Sequence, residues 1–390
     1  MANRISVRER GAPTREEGVV FDLFDKHVNF ISGGIVQGAG FIFGLELTTA
    51  DLIKGIELRA SALASTKLYR RFEGSVRLPK VGDEKTHAEI WFSYLRRTED
   101  NFFGIGPLIN DESQTNFDLE QRSYNGLFYR NFTDRFQAGV YVRVANSGSF
   151  NGENDHDIPM DQLFSGNPNV VPITSWAPGF QTNTKILSYG VYSEYDLRNN
   201  EHGLTKGAYL YGRFASADGL AYPNNPVFQD YGWLEGEMDA RVYLPLLSDR
   251  TSLALRAYSN VHTPKGGSQI PFHDLSFLGG RMYLRGFPTY RFRANNSLLF
   301  SGELRQTVWK MSEQRGADLV VFADTGQVWG DNRSQSNPAV LMNKDFDSRN
   351  WRAGFGGSLQ FRYSKNFALR IEAGASNERT LIYFSFSRGF

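Results

Sequence analysis

Three charged residues in the last third of the chain have the chemical types that an ion pair between strands requires. Arg285 lies in the glycine-rich stretch LGGRMYLRGF (278–287), and Glu303 and Asp324 lie in two later segments of alternating polarity. Both carboxylates can point to one interior from neighbouring strands, where they repel each other unless a cation lies between them. The planar guanidinium of Arg285 suits carboxylates. The alternative is a solvated loop arginine beside two ordinary interior acids.

The other polar residues form no catalytic or metal-binding pattern. The six histidines are scattered, and none has a neighbour at metal-ligand spacing. The acidic stretch NGENDHD (151–157) lacks the glycine and ligand order of an EF-hand, which favours a solvated loop. No nucleophile-elbow or phosphate-cradling glycine motif occurs. We therefore expect no enzyme activity, no cofactor and no metal.

The composition favours strands and excludes several classes of protein. Of the 390 residues, 14% are aromatic and 39 are glycine, which suits strands with tight turns and bends. The net charge of +1 gives no field that would attract nucleic acid. The absence of Cys excludes disulfides and thiolate metal sites. No apolar run is long enough for a transmembrane helix, and the charged start lacks the apolar core of a signal peptide.

Two-residue alternation predicts the elements that position the charged residues. In 234–244 the even positions are apolar or glycine and the odd positions carry four charges, so the two faces of a strand differ sharply. A soluble sandwich would also alternate. The alternating segments, however, are longer than the about 5–6 residues of soluble strands and reach the roughly 9–11 needed to span a membrane. A membrane barrel is the better interpretation.

Sixteen antiparallel strands are predicted. They cover residues 27–35, 39–52, 54–65, 68–80, 86–99, 115–131, 134–147, 184–198, 205–217, 228–246, 250–263, 295–311, 317–329, 349–363, 367–378 and 379–390. An even number places both ends of a bacterial barrel on the periplasmic side. We therefore expect a short periplasmic segment (1–26), a transmembrane β-barrel (27–390), and long extracellular connections that include 264–294.

An ordered set of motifs resembles the BamA/TamA superfamily (bacterial surface antigen type) of outer-membrane barrels. The loop hallmark is present as Leu278, Gly279, Gly280, Leu284, Arg285, Gly286 and Phe287. A later strand carries Phe322, Asp324 and Gly326, and the preceding strand carries the matching Glu303. The resemblance implies that the sixth extracellular loop folds inward and lodges Arg285 against Glu303 and Asp324.

The resemblance also implies a place and a role. It predicts a bacterial outer-membrane barrel, in contact with lipid and lipopolysaccharide, that assists insertion or translocation of client barrel proteins, with periplasmic or lipoprotein partners. Only about 26 residues precede the first predicted strand, too few for the family's periplasmic POTRA domain, so we expect a POTRA-less form.

We expect the activity to depend on a lateral seam between the first and last predicted strands, which would open to admit client strands. Glycine weakens strand pairing, and a weakly paired edge can template another chain. The seam residues are Gly33, Gly34, Gly38, Gly40, Phe384, Phe386 and Phe390. The alternative is a structural or passive-pore barrel without assembly activity. A third hypothesis is an enzyme at the rim of the lumen, but the sequence contains no set of residues that would form its catalytic site.

Overall fold

In the part of the chain that the structure describes, the fold is an antiparallel all-β sheet of seventeen strands, accompanied by one small two-stranded sheet. The computed structural model describes residues 19–24, 28–36, 40–53, 55–108, 111, 114–152, 159–161, 177–199, 206–220, 230–246, 250–312, 315–330, 345–363 and 368–385. Within these ranges no helix has the length and apolar character needed to cross a membrane.

The strands follow the chain in antiparallel order. They are β1 (Val19–Phe24), β2 (Val28–Val36), β3 (Gly40–Ile53), β4 (Ile56–Ser65), β5 (Arg70–Leu78), β6 (Thr86–Phe102), β7 (Thr115–Asn131), β8 (Phe136–Asn151), β9 (Asn183–Asp196), β10 (Gly207–Gly219), β11 (Gly232–Leu246), β12 (Thr251–Pro264), β13 (Ser276–Leu278), β14 (Phe292–Ala294), β15 (Asn296–Lys310), β16 (Gly316–Trp329), β17 (Arg352–Arg362), β18 (Ala368–Ser376) and β19 (Thr380–Ser385).

All sixteen predicted strands are present, as β2 to β12 and β15 to β19. The seventeenth strand of the sheet, β1, was not expected, because residues 19–24 were assigned to the N-terminal segment 1–26. Its sequence VVFDLF is shorter than the roughly 9–11 residues of a membrane-spanning strand, so the length criterion passed over it. It nevertheless pairs with β2, and the sheet therefore starts earlier in the chain than predicted.

The two faces of the strands are arranged as in a membrane barrel, with the apolar side chains outside and the charged side chains inside. In β11 the side chains of Leu234, Met238 and Val242 are between 38% and 45% exposed on the outer face. The intervening Asp239 and Arg241 are buried and bind each other through two hydrogen bonds. A soluble sheet would bury the apolar face instead, so the confirmed pattern requires an apolar surrounding.

One of three buried apolar clusters in the described residues lies on the inner side of the sheet, where the long connections gather. Buried aromatic residues from three separate segments meet there, among them Phe102 and Phe117 at the ends of β6 and β7. Both rings pack edge-on against Phe272, which belongs to the connection between β12 and β13. This cluster holds the long β12–β15 connection against the inner side of the sheet, and the connection carries the β13–β14 hairpin.

Candidate functional site

The stretch 278–287 is a tight fold that only glycine permits at several positions. β13 and β14 pair, and between them the N–H of Gly280 donates to the carbonyl of Phe287 at 2.9 Å. Gly279 has φ +115°, and a Cβ there would overlap the Pro288 carbonyl. These residues are therefore glycine because the backbone turns left-handed and passes close to itself.

Arg285 leaves this fold and lies against the inner wall. Its Nε and Nη2 donate to the two carboxylate oxygens of Asp324 at 2.7 and 2.6 Å, and its Nη1 donates to Glu303 Oε1 at 2.5 Å. The guanidinium also stacks on the Phe322 ring, 3.6 Å from the ring centroid. The structure thus places Arg285 between the two acids on neighbouring strands β15 and β16.

Further charges on the wall complete the network. Glu303 also accepts hydrogen bonds from Arg305 and from Arg370, at 2.8 and 3.0 Å. Arg370 in turn pairs with Glu372 on β18 at 2.5 Å. Neither Arg370 nor Glu372 was predicted, because the register that brings β18 opposite the loop cannot be read from alternation alone.

Two glycines on the wall make room for the loop backbone. A Cβ at Gly354 on β17 would overlap the carbonyl oxygen of Arg285. A Cβ at Gly374 on β18 would lie 2.8 Å from the Gly286 nitrogen. Glycine inside a strand marks a close approach of another backbone, so the runs GFGGS and EAGAS carried a signal that the sequence analysis did not use.

The loop is attached to the β18–β19 hairpin, which carries one side of the predicted seam. The Gly286 N–H donates to the Tyr383 hydroxyl at 3.2 Å, and the Ser376 hydroxyl donates to the Gly286 carbonyl at 2.8 Å. One turn further, Arg291 Nε donates to Glu378 at 2.7 Å. β18, β19 and the link between them are thereby tied to the interior of the molecule.

The remaining predicted motif residues pack around this attachment. Leu278, Leu284 and Phe287 belong to one buried cluster. Gly326 lies beside that cluster, since a Cβ there would be 2.9 Å from Leu278 Cδ1. Phe322, Asp324 and Gly326 therefore each meet a different part of the loop from the same strand.

The seam residues are only partly within the described chain. Gly33 and Gly34 lie in β2, where the pairing with β3 advances three residues on β2 and two on β3 between Ser32 and Ile35. This is a β-bulge, which interrupts the ladder locally. Gly40 begins β3, and Phe384 is exposed on β19. The three others, Gly38, Phe386 and Phe390, lie outside the described residues.

No metal centre accompanies the ion-pair network. Among the residues that the structure describes, no group of three His, Asp or Glu side chains could hold a metal ion. The charges of residues 285, 303, 324, 370 and 372 alternate between cation and anion along their contacts, which suits attachment of the loop to the wall.

In the described residues, a seventeen-stranded antiparallel sheet of the membrane-barrel type, with an arginine-bearing loop attached to its inner side, defines the class of protein. Residues 54–390 match the Omp85 superfamily domain, and the chain belongs to that superfamily. The fold is similar to the crystal structure of BamA from Haemophilus ducreyi lacking POTRA domains 1-3, at a TM-score of 0.67 and 15% identity, with 96% of this chain and 70% of that chain covered.

Two further structures have a similar fold. CdiB from Escherichia coli matches at a TM-score of 0.55 and 12% identity, over 92% of this chain and 61% of that chain. CdiB from Acinetobacter baumannii matches at 0.53 and 15%, over 93% and 60%. The chain thus spans less than two thirds of either CdiB chain, and these low identities establish likeness of fold alone. No curated protein sequence matches the chain.

Proposed function

We propose that this protein inserts or translocates polypeptides at a bacterial outer membrane, through a lateral seam between β2 and β19. The observation that carries the proposal is the unequal attachment of the two sides of the seam. The side formed by β18 and β19 is tied to the interior loop, whereas the β2 side carries the bulge at Gly33 and Gly34.

The attached side supports a fixed wall. Tyr383 of β19 and Ser376 of β18 both bind the backbone of Gly286, and Gly286 adjoins the Arg285 network. Moving β19 outward would break these contacts and expose buried charges, which is costly in a low-dielectric interior. Opening would therefore begin on the other side.

The β2 side supports a movable edge. β19 adjoins β2 in the sheet, and the ladder that joins β2 to β3 is interrupted between Ser32 and Ile35. Two consecutive glycines at a bulge reduce side-chain packing and interrupt the ladder. Once it is released from its present partner, an edge of this kind would offer its backbone groups to an incoming strand.

The apolar outer surface of the sheet supports the proposed membrane surroundings of the protein and the class of its clients. The outer face carries aliphatic and aromatic side chains such as Ile90, Val191 and Phe214, all more than half exposed, which suits outer-membrane lipid and the apolar part of lipopolysaccharide. The clients would be barrel proteins that present unpaired strands, and periplasmic or lipoprotein partners could deliver them. The net charge of +1 offers nucleic acid no attraction.

Reconstitution in liposomes tests the proposal. The folding rate of an unfolded client barrel, the ion conductance and hydrolase activity would be measured in one preparation, with protein-free liposomes as the control. Faster client folding is the expected result. Conductance without faster folding would replace the proposal by a passive pore, and hydrolysis of added ester, phosphate or glycoside substrates would replace it by an enzyme.

A further inference from the structure

The edge of β2 that faces the last strand is already occupied by a strand of the same chain. β2 pairs with β3 from residue 28 to residue 36, and with β1 from residue 28 to residue 32. A strand has two hydrogen-bonding edges, so two strands that pair with the same residues must lie on opposite sides. Because β3 takes one side, β1 takes the side on which β19 also adjoins β2.

This occupation is weak in comparison with the rest of the sheet. β1 and β2 share five paired positions, whereas β11 and β12 share fourteen. The β1–β2 register is also irregular between Asp22 and Phe24, close to the turn that joins the strands. An isolated two-stranded hairpin is marginal in stability, so β1 is far easier to remove than any neighbouring strand of the wall.

We propose that β1 is a displaceable cover for the seam edge of β2, and that the partner which displaces it is an unpaired, apolar β-strand of another polypeptide. The groups at a strand edge are backbone N–H and C=O groups, and an extended peptide satisfies them by adding as a strand. The sequence of β1 itself, VVFDLF, has five apolar residues out of six and indicates the kind of segment that this edge accepts.

The cover deepens the proposed function but depends on it in only one respect. The identity of the displacing strand as part of a client rests on insertion or translocation activity. The coverage of β2 by β1, and its exchange for a free peptide, do not. An uncovered edge would pair with strands indiscriminately, and a short internal strand prevents this at little cost to opening.

Cysteine pairs across the two strands test the cover in the full chain, which has no native Cys. Val20 and Ile31 are direct partners, and so are Phe21 and Phe30. Opposed Cα atoms in antiparallel strands alternate between about 4.5 and 5.5 Å, both within the range that a disulfide spans. The variants Val20→Cys/Ile31→Cys and Phe21→Cys/Phe30→Cys would be folded first, placed in nanodiscs and then oxidised.

A third pair serves as the matched control. Leu45 and Ala62 are direct partners on β3 and β4, a pairing that exchange at the seam leaves intact. The probe is a fluorescent VVFDLF peptide with lysine tails, and its binding is followed by anisotropy before and after oxidation. Loss of free thiols to a maleimide reports closure of each disulfide.

The expected result is that the β1–β2 disulfide forms, that the reduced protein binds the peptide, and that oxidation abolishes this binding until a reductant is added. The Leu45→Cys/Ala62→Cys control should close without changing peptide binding. Failure of both β1–β2 pairs to close while the control closes would overturn the pairing. Equal binding in both redox states, or binding in neither, would overturn displacement. Peptide exchange without any acceleration of client folding would leave the cover intact and refute the proposed function alone.

Discussion

Removing the guanidinium of Arg285 should destabilise the barrel by leaving a buried carboxylate without its cation. Asp324 receives hydrogen bonds from the Nε, the Nη2 and the backbone N–H of Arg285, and it is 3% exposed. In Arg285→Ala only the backbone N–H remains among these. Glu303 keeps Arg305 and Arg370, so the cost arises mainly at Asp324.

The magnitude follows from the burial of the pair. Breaking a buried pair by removal of one partner costs about 3–5 kcal/mol, because the remaining charge is uncompensated. The lost stacking of the guanidinium on Phe322 adds about 0.5–2 kcal/mol. The variant should still fold, since the strands retain their pairing, but the loop should leave the wall at a lower temperature.

Heat-modifiable gel mobility in detergent measures this change. The transition midpoint of Arg285→Ala should fall clearly below that of the unchanged protein, and Arg285→Ala/Asp324→Asn should recover part of the loss by removing the stranded charge. Arg349→Ala is the matched control, because Arg349 pairs with Asp347 on the exposed surface and such pairs contribute about 0–1 kcal/mol. An unchanged midpoint in Arg285→Ala, or a double variant no more stable than the single one, would refute the reasoning.

Three further predictions concern the same attachment and the orientation of the barrel. Gly354→Ala should lower the same midpoint because its Cβ overlaps the loop backbone, whereas Gly236→Ala, which has open space, should not; equal shifts would contradict the close approach. Tyr383→Phe should lower the midpoint by a smaller amount, since a buried N–H left unpaired costs about 1–3 kcal/mol, and no shift in the melting gel would argue against the β19 attachment. An impermeant maleimide on intact cells should label Ser348→Cys and spare Ser312→Cys, because these exposed residues lie in connections at opposite ends of the strands; the reverse pattern would invert the topology.

The strands were predictable because alternation reports two faces at once. Within 234–244 the more exposed apolar positions alternate with more buried, mostly charged ones. β1 was missed because it is only six residues long, shorter than the length expected of a membrane-spanning strand. The criterion of strand length therefore missed β1, whereas the apolar composition of residues 19–24 could have indicated a strand.

The candidate site was predictable in part for a similar reason. Glu303 and Asp324 lie on adjacent strands whose faces alternation identifies, so their common interior could be inferred from the sequence. Arg370 and Glu372 could not be placed, because their proximity to Arg285 depends on the path of a loop that passes over β17 and β18. Alternation identifies the face of a residue but not its height on the wall.

Hydrogen exchange in lipid nanodiscs, followed by mass spectrometry, tests most directly whether the two sides of the seam differ. The amides of 28–36 in β2 and of 368–385 in β18 and β19 would be compared in one sample. We expect 28–36 to exchange faster, because β1 covers it weakly and a bulge interrupts it, while the loop at Gly286 holds β18 and β19. Equal exchange on both sides, or faster exchange in 368–385, would contradict the account.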